Sequence, residues 1–160
     1  MKHIGIVCEG PTDYIILKGV IDQITGEENK YVLLQPENDL SGKYGNGWKG
    51  VWKWCHDNAP IRRELMQDIQ PALDFLVIQM DGDVSRKEKS SHCWCKATEC
   101  IHKGDWNPLE CDLTPEGRAA CPIVLPCPGH NISVAGYMSH LKGLLATWLK
   151  DTSDTCIVIP

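Results

Sequence analysis

Four carboxylates follow two apolar segments of the chain and could together bind a divalent cation. Glu9 and Asp13 come shortly after the first segment, and Asp81 and Asp83 come shortly after the second, far downstream. Carboxylate oxygens are the ligands that Mg²⁺ and Mn²⁺ prefer in proteins. A cation held in this way neutralises charge on phosphate oxygens and activates water. The residue types therefore point to chemistry on phosphate esters, with Glu9 as the candidate for proton transfer.

The two apolar segments, residues 3–8 and 75–80, are predicted to be buried parallel strands of one sheet. In open α/β sheets, ligands bind in the crevice beyond the carboxyl ends of the strands. The four acids are therefore expected to meet at one edge of the sheet. Gly10 and Gly82 keep the following loops small enough for a phosphate group to approach.

Strand and helix patterns alternate along the rest of the chain. Thr12 is predicted to cap a helix that Gly26 ends and whose apolar face is formed by Ile16, Leu17, Val20, Ile21 and Ile24. The later elements are predicted as a strand at 31–34, helices around 48–55, 62–69 and 134–149, and a strand at 155–159. This order predicts an α/β fold with a Rossmann-like, mostly parallel sheet and helices on both faces.

Length and hydropathy set the expected organisation and location of the protein. With 160 residues and 17.9 kDa, the chain is predicted to form a single domain over residues 1–160. We expect a cytoplasmic protein without a membrane partner, because no secretion signal or membrane-spanning apolar run is visible. An apolar strand at the last residues leaves open that the sequence is a fragment of a longer chain.

The overall charge is mildly acidic, with a formal net charge of −5. Such a charge argues against a protein whose whole surface contacts nucleic acid, but a local basic path for DNA remains compatible with it. Basic residues close to the acids in sequence include Lys49, Arg62 and Arg63 before the second acidic pair and Arg86 after it.

Most of the nine cysteines lie in a segment without helical or strand periodicity, which we interpret as an irregular insertion over about 84–130. The candidate ligands for a structural Zn²⁺ in this insertion are Cys93, Cys95, Cys100, His102, Cys111, Cys121, Cys127 and His130. Their spacing is not that of two CxxC knuckles, so free thiols or disulfides are the alternatives. Cys8, Cys55 and Cys156 lie in apolar patterns and are predicted to be small core residues.

The combination of Glu9 with Asp81-Gly82-Asp83 resembles the Toprim domain of topoisomerases, primases and OLD-family nucleases. In the stretch 7–13, Asp13 follows Glu9 by four residues, which is similar to the OLD-type variant. The resemblance covers about residues 2–160 and implies a Toprim-like domain that cleaves DNA phosphodiester bonds, in defence against phage or in processing foreign DNA. It also implies Mg²⁺ or Mn²⁺ bound by all four acids, with Glu9, Asp81 and Asp83 as the catalytic residues. OLD-type nucleases use a further acid and a Lys beyond the next strand, where this sequence ends.

Two other functions are compatible with the sequence. One is a non-catalytic, zinc-stabilised module that keeps the Toprim scaffold and docks on an ATPase or nuclease partner. The other is a phosphatase, because the stretch from Asp81 to Ser85 resembles the nucleophile loop of haloacid-dehalogenase-like enzymes. Asp81 would then attack phosphorus and Asp83 would act as the acid and base. That family carries its motif on the first strand, and the phosphatase interpretation leaves Glu9 unexplained.

Overall fold

A computed structural model describes residues 1–36, 44–82 and 134–160 of the chain. Internal contacts divide the chain into two units, residues 1–81 with 145–160 and residues 82–144. The sheet and the carboxylates discussed below belong to the first unit. Asp83 and the predicted Cys/His insertion lie outside the described residues, so the statements about them stay predictions.

The first unit is built on a four-stranded, entirely parallel sheet with the strand order β2-β1-β3-β4. The strands are β1 His3–Val7, β2 Lys30–Gln35, β3 Phe75–Gln79 and β4 Thr155–Val158. The helices of the described residues are α1 Pro11–Thr25, α2 Trp48–Asn58, α3 Arg62–Asp68 and α4 Val134–Leu149. The predicted α/β fold with a Rossmann-like sheet is confirmed.

Strand β1 lies inside the sheet between β2 and β3, and it is buried on both faces of the sheet. On one side, Ile4 and Ile6 pack with Leu17 of α1 in a hydrophobic cluster. On the other side, Gly5 lies so close to Leu73 and to Leu34 of β2 that an added Cβ would collide with their methyl groups. Strands that are apolar on both faces are typical of parallel sheets covered by helices.

Helices cover both faces of the sheet. The connection through α1 leads from β1 outward to β2, whereas the connection through α2 and α3 leads from β2 back across β1 to β3. Right-handed crossovers in opposite directions place their helices on opposite faces. Leu76 and Ile78 of β3 are completely buried on the face opposite α1, as this arrangement requires.

The longest helix of the described residues is α4, with 16 residues. Its buried side chains recur every four residues, at Leu141, Leu145 and Leu149. A bilayer-spanning helix needs about 20 apolar residues. Within the described ranges, no helix is long and apolar enough to cross a membrane.

The start of α1 differs from the prediction, whereas its end agrees with it. Gly10 is the N-cap and Pro11 opens the helix, so Thr12 lies in the first turn and the prediction of Thr12 as the cap was wrong. Proline suits this position because its fixed φ is helical and its missing N–H would have no partner there. Gly26 ends the helix in the left-handed region, with φ 66°, and donates its N–H to the Asp22 carbonyl.

The predicted apolar face of α1 is only partly buried. Leu17 and Ile21 pack against the sheet, but Ile16, Val20 and Ile24 are 57%, 48% and 79% exposed. The predicted face combined two neighbouring rows of side chains, and within each row the residues are four positions apart. The sheet contacts the row that contains Leu17 and Ile21. The prediction was therefore wrong for the row formed by Ile16, Val20 and Ile24.

The cysteines of the first unit also divide into two groups. Cys8 and Cys55 are buried, as predicted. Cys156 is exposed, so its assignment to the core was wrong. It lies on β4, which is the edge strand beside β3 among the strands that the structure describes.

Gly50, in the first turn of α2, is expected to tolerate no side chain. An added Cβ would collide with the Gly45 carbonyl and the Gln35 amide. We expect Gly50→Ala to lower the free energy of unfolding by about 1–3 kcal/mol, which is the usual cost of overpacking. Urea denaturation at one low protein concentration measures this change. Gly19→Ala is the matched control, because Gly19 is helical with no atom near its Cβ position, and it should raise stability by about 0.5–1 kcal/mol. Equal effects of the two changes would contradict this packing.

Candidate metal centre

Glu9 and Asp81 meet at the carboxyl edge of the sheet. They follow β1 and β3, which pair in parallel with Val7 opposite Ile78. The Glu9 Oε1 atom accepts a hydrogen bond of 2.8 Å from the backbone N–H of Asp81. The structure therefore places the acids that follow the two predicted strands in direct contact.

Gln79, the last residue of β3, forms hydrogen bonds with both of these acids. Its side-chain Oε1 accepts from the Glu9 backbone N–H at 3.3 Å, and its Nε2 donates to Asp81 Oδ1 at 2.5 Å. Gln79 is 3% exposed, and both hydrogen bonds are partly buried. Sequence reasoning missed Gln79 as a site residue, although a polar residue at the end of an otherwise apolar strand was a usable signal.

Asp13 lies in the first turn of α1, within electrostatic reach of Asp81. Burial raises the pKa of the Asp13 carboxyl, and the negative charge of Asp81 raises it further. A backbone hydrogen bond with Gly10 acts in the opposite direction but is the smaller effect. The structure thus brings Asp13 to the same edge as Glu9 and Asp81, and like charges there repel one another.

The amino end of α2 lies beside Glu9. The backbone N–H of Gly47, the N-cap residue, donates to the Glu9 carbonyl at 2.8 Å. Gly47 has a φ of 74°, which favours glycine, and a Cβ there would stand 3.8 Å from Glu9 Oε2. No acidic residue occupies the first turn of α2. The positive end of the helix dipole therefore favours negative charge at this point of the edge.

Cys8 directly precedes Glu9 and is not suited to nucleophilic chemistry. Burial, followed by the charge of Asp13, raises the pKa of its thiol to about 12. The Sγ atom lies 3.2 Å from the Gly10 carbonyl and 3.4 Å from the Gln35 carbonyl. Because the thiolate is the reactive and metal-binding form, Cys8 is a packing residue at neutral pH.

The chemistry of the described donors fits a hard divalent cation. The side chains of Glu9, Asp13 and Asp81 offer oxygen atoms only, and a cation would offset the repulsion by Asp81 that, after burial, raises the pKa of Asp13. Across residues 1–36, 44–82 and 134–160, however, no three His, Cys, Asp or Glu side chains are grouped closely enough to hold a metal ion. The structure therefore brings the three acids to one edge without assembling them into a ligand set, and the metal stays a prediction.

Arg62 does not supply a basic surface next to the acids. Its side chain is buried, its Nη1 donates to the Asp151 carbonyl, and its Nη2 lies 3.5 Å from the Asp151 carboxylate. The interpretation of Arg62 as available positive charge was therefore wrong. Its neighbour Arg63 is exposed and pairs with the same carboxylate at 2.6 Å.

Comparison with known proteins adds no relative to this description. No family model, no curated protein and no solved structure matches the chain. The fold defines the first unit as an α/β domain with acids at the carboxyl edge of its sheet. Its function is therefore argued from the site alone.

Asp13→Asn is expected to stabilise the protein at neutral pH in the absence of divalent ions. The fold raises the pKa of Asp13 above its ordinary value of 3.8. Ionisation of this group therefore lowers the free energy of unfolding as the pH rises above 3.8. The neutral Asn avoids that cost. Thermal melts with a chelator should show a small gain, below roughly 1 kcal/mol because solvent screens a partly exposed group. The gain should be largest above the raised pKa and vanish as the pH falls below 3.8; a gain that persists there would contradict the electrostatic cause.

Gln79→Met is expected to lower the free energy of unfolding by about 1–3 kcal/mol, because two partly buried hydrogen bonds are lost, each worth about 0.5–1.5 kcal/mol. The Glu9 N–H loses its acceptor and the Asp81 carboxylate loses its donor. Urea denaturation measures the change. Gln67→Met is the matched control, because Gln67 is exposed on α3, and it should stay within about 0.5 kcal/mol of the parent. A Gln79 variant as stable as the Gln67 variant would argue against the bridging role.

Proposed function

We propose that this protein is a Toprim-like, metal-dependent nuclease that hydrolyses DNA phosphodiester bonds. The proposal rests on the residues of the OLD-type pattern, Glu9, Asp13 and Asp81, and on the edge of the sheet where they lie. The same proposal includes DNA as the substrate and an ATPase subunit or domain as a partner. It also includes phage defence as the biological role and the cytoplasm as the location.

The observation that carries the proposal is the contact between Glu9 and the Asp81 backbone. It joins acids from two separate parts of the sequence at the edge where parallel sheets bind ligands. Acids that only formed turns would need no such contact across two strands. The raised pKa of Asp13, caused in part by Asp81, adds a third carboxylate to the same edge.

In this proposal the residues of the chain have distinct tasks. Asp81 and Asp13, with Asp83, would bind the cation through their carboxylate oxygens. The Glu9 carboxylate, fixed by the Asp81 N–H, would accept a proton from the attacking water. Gln79 would orient Asp81 through its bond to Oδ1. A bound Mg²⁺ or Mn²⁺ supplies neutralisation of charge on the phosphate oxygens and activation of water.

The two alternatives stay predictions with less support from the described residues. A phosphatase would use Asp81 as the nucleophile and Asp83 as the acid and base, and Asp83 lies outside the described residues. It also assigns no task to Glu9, which contacts Asp81. The zinc-stabilised docking module depends on the insertion, which lies outside the described residues.

DNA cleavage with Mg²⁺ or Mn²⁺ tests the proposal, with the parent protein beside Asp81→Asn. Asn keeps the shape of the side chain and its Oδ1 acceptor but removes the charge that would bind the cation. We expect the rate of nicking of supercoiled plasmid to fall by roughly 100-fold or more, as is common when one electrostatic group is lost at a reaction centre. A chelator should abolish cleavage by the parent.

Asp74→Asn is the matched control for this experiment. Asp74 precedes β3, at the opposite end of the strand from Asp81, and pairs with Lys2 and the His3 N–H. The same chemical change at this end should leave cleavage unaltered. Equal rates for Asp81→Asn and the parent, or no cleavage by a folded parent protein that binds Mg²⁺, would refute the nuclease proposal.

A further inference from the structure

Helix α2 carries three tryptophans that differ in exposure. Trp54 is 3% exposed and belongs to the buried core, whereas Trp48 and Trp52 are only partly buried. Trp48 and Trp52 are four residues apart, so they lie in one row along the helix. Two indole rings therefore reach solvent on the same side of α2.

His56 continues this row by one further turn. Its side chain is exposed, and its ring centroid lies 5.9 Å from that of Trp52, with an angle of 47° between the ring planes. Residues four positions apart are separated by about 6 Å along a helix. The row therefore offers successive aromatic rings along α2 rather than one isolated ring.

Positive charge lies beside the row of rings. Lys49 and Lys53 are exposed and form the neighbouring row of the same helix. The Lys49 Nζ atom lies 5.6 Å from the centroid of the Trp48 ring, within the range of a cation–π contact. We call Trp48, Lys49, Trp52 and Lys53 the aromatic face of α2. This face combines two rings with two cations.

Acidic residues lie at the two ends of the aromatic face. At its carboxyl end, Asp57 is the single acid in the sequence of α2, and its Oδ1 atom lies 3.2 Å from His56 Nδ1. At its amino end, the Gly47 N–H donates to the Glu9 carbonyl at 2.8 Å, and Trp48 follows Gly47 directly. The aromatic face therefore begins at the carboxylate edge and leads away from it along α2.

We propose that the aromatic face of α2 binds single-stranded DNA and that the bound strand leads to the carboxylate edge. Proteins that bind single strands combine aromatic rings, on which bases stack, with positive charge that follows the phosphate backbone. Both features occur here on one helix. The link to cleavage rests on the proposed nuclease function, and it makes single-stranded DNA the substrate.

The charges of the aromatic face favour a nucleic acid over an apolar protein surface. An apolar partner would cover Lys49 and Lys53 without supplying a negative charge, and burying an unpaired charge is costly. The phosphate groups of a strand supply that charge, while its unpaired bases supply flat rings for Trp48 and Trp52. In a duplex the bases are already stacked on one another.

Fluorescence anisotropy with a labelled DNA strand of about 16 nucleotides tests the proposal, because this length spans the usual site sizes for single strands. A chelator in the buffer prevents cleavage during the measurement. We expect the parent protein to bind the strand at least about tenfold more tightly than the corresponding duplex, because unpaired bases can stack on the rings.

Trp52→Leu removes one ring and keeps an apolar side chain. It should weaken binding of the strand by at least about fivefold, the loss expected for one stacked base. Trp148→Leu is the matched control, because Trp148 is also partly buried but lies on α4, and it should bind like the parent. Trp52→Tyr should bind more tightly than Trp52→Leu, since it restores a ring. Circular dichroism and thermal melts check that each variant is folded.

The salt dependence of binding tests the cations. Lys53→Gln should lower the slope of log affinity against log salt concentration by about 0.7, the value for one phosphate contact on a single strand. Lys30→Gln removes the same charge from an exposed residue at the start of β2, at the opposite edge of the sheet from the acids. It should leave the slope unchanged.

Three results would overturn the proposal. The first is a parent protein that binds strand and duplex equally, or binds neither. The second is a Trp52→Leu variant that binds like Trp148→Leu, and the third is an equal slope for Lys53→Gln and Lys30→Gln. Failure of the nuclease proposal would look different, because the parent would bind the strand through α2 but cleave no DNA with Mg²⁺ or Mn²⁺. That result would support the aromatic face as a binding site without cleavage.

Discussion

The parallel pairing of β1 with β3 is the constraint on which the rest of the described structure depends. It places Val7 opposite Ile78, so the chains that leave the two strands emerge at the same edge. Only because of this register does Glu9 reach the N–H of Asp81. A shift by one residue would turn the buried side chains of β3 to the opposite faces and remove Gln79 from the acids. The core and the carboxylate edge are therefore determined by the same backbone pairing.

The carboxylate edge combines repulsion with a few contacts that hold it together. Burial raises the pKa of Asp13, and the charge of Asp81 raises it further, as expected for acids that lie close together. Gln79 holds Asp81 in place, and the amino end of α2 lies next to Glu9. Positive charge at such an edge would lower the repulsion between the carboxylates.

Helix α1 serves two surfaces at once. Its inner row, with Leu17 and Ile21, anchors the helix on the sheet and thereby positions Asp13. Its outer row carries the exposed aliphatic side chains. A helix can do both because residues four positions apart stay in one row, while the next row points about 100° away. Asp13 and these exposed side chains are thus fixed to the same rigid helix.

The sequence by itself determined the class of fold, the parallel strands and the edge at which Glu9 and Asp81 meet, because apolar segments of strand length followed by acids carry that information locally. It also placed the end of α1, since Gly26 adopts a backbone conformation that other residues rarely adopt. Only the tertiary structure decided which row of α1 faces the sheet, that Arg62 is buried against Asp151, and that Gln79 joins the acids. These features depend on which side chains distant in sequence become neighbours. Such contacts arise from the packing of whole elements; a local pattern such as the polar Gln79 at the end of an apolar strand marks a position but does not give its partners.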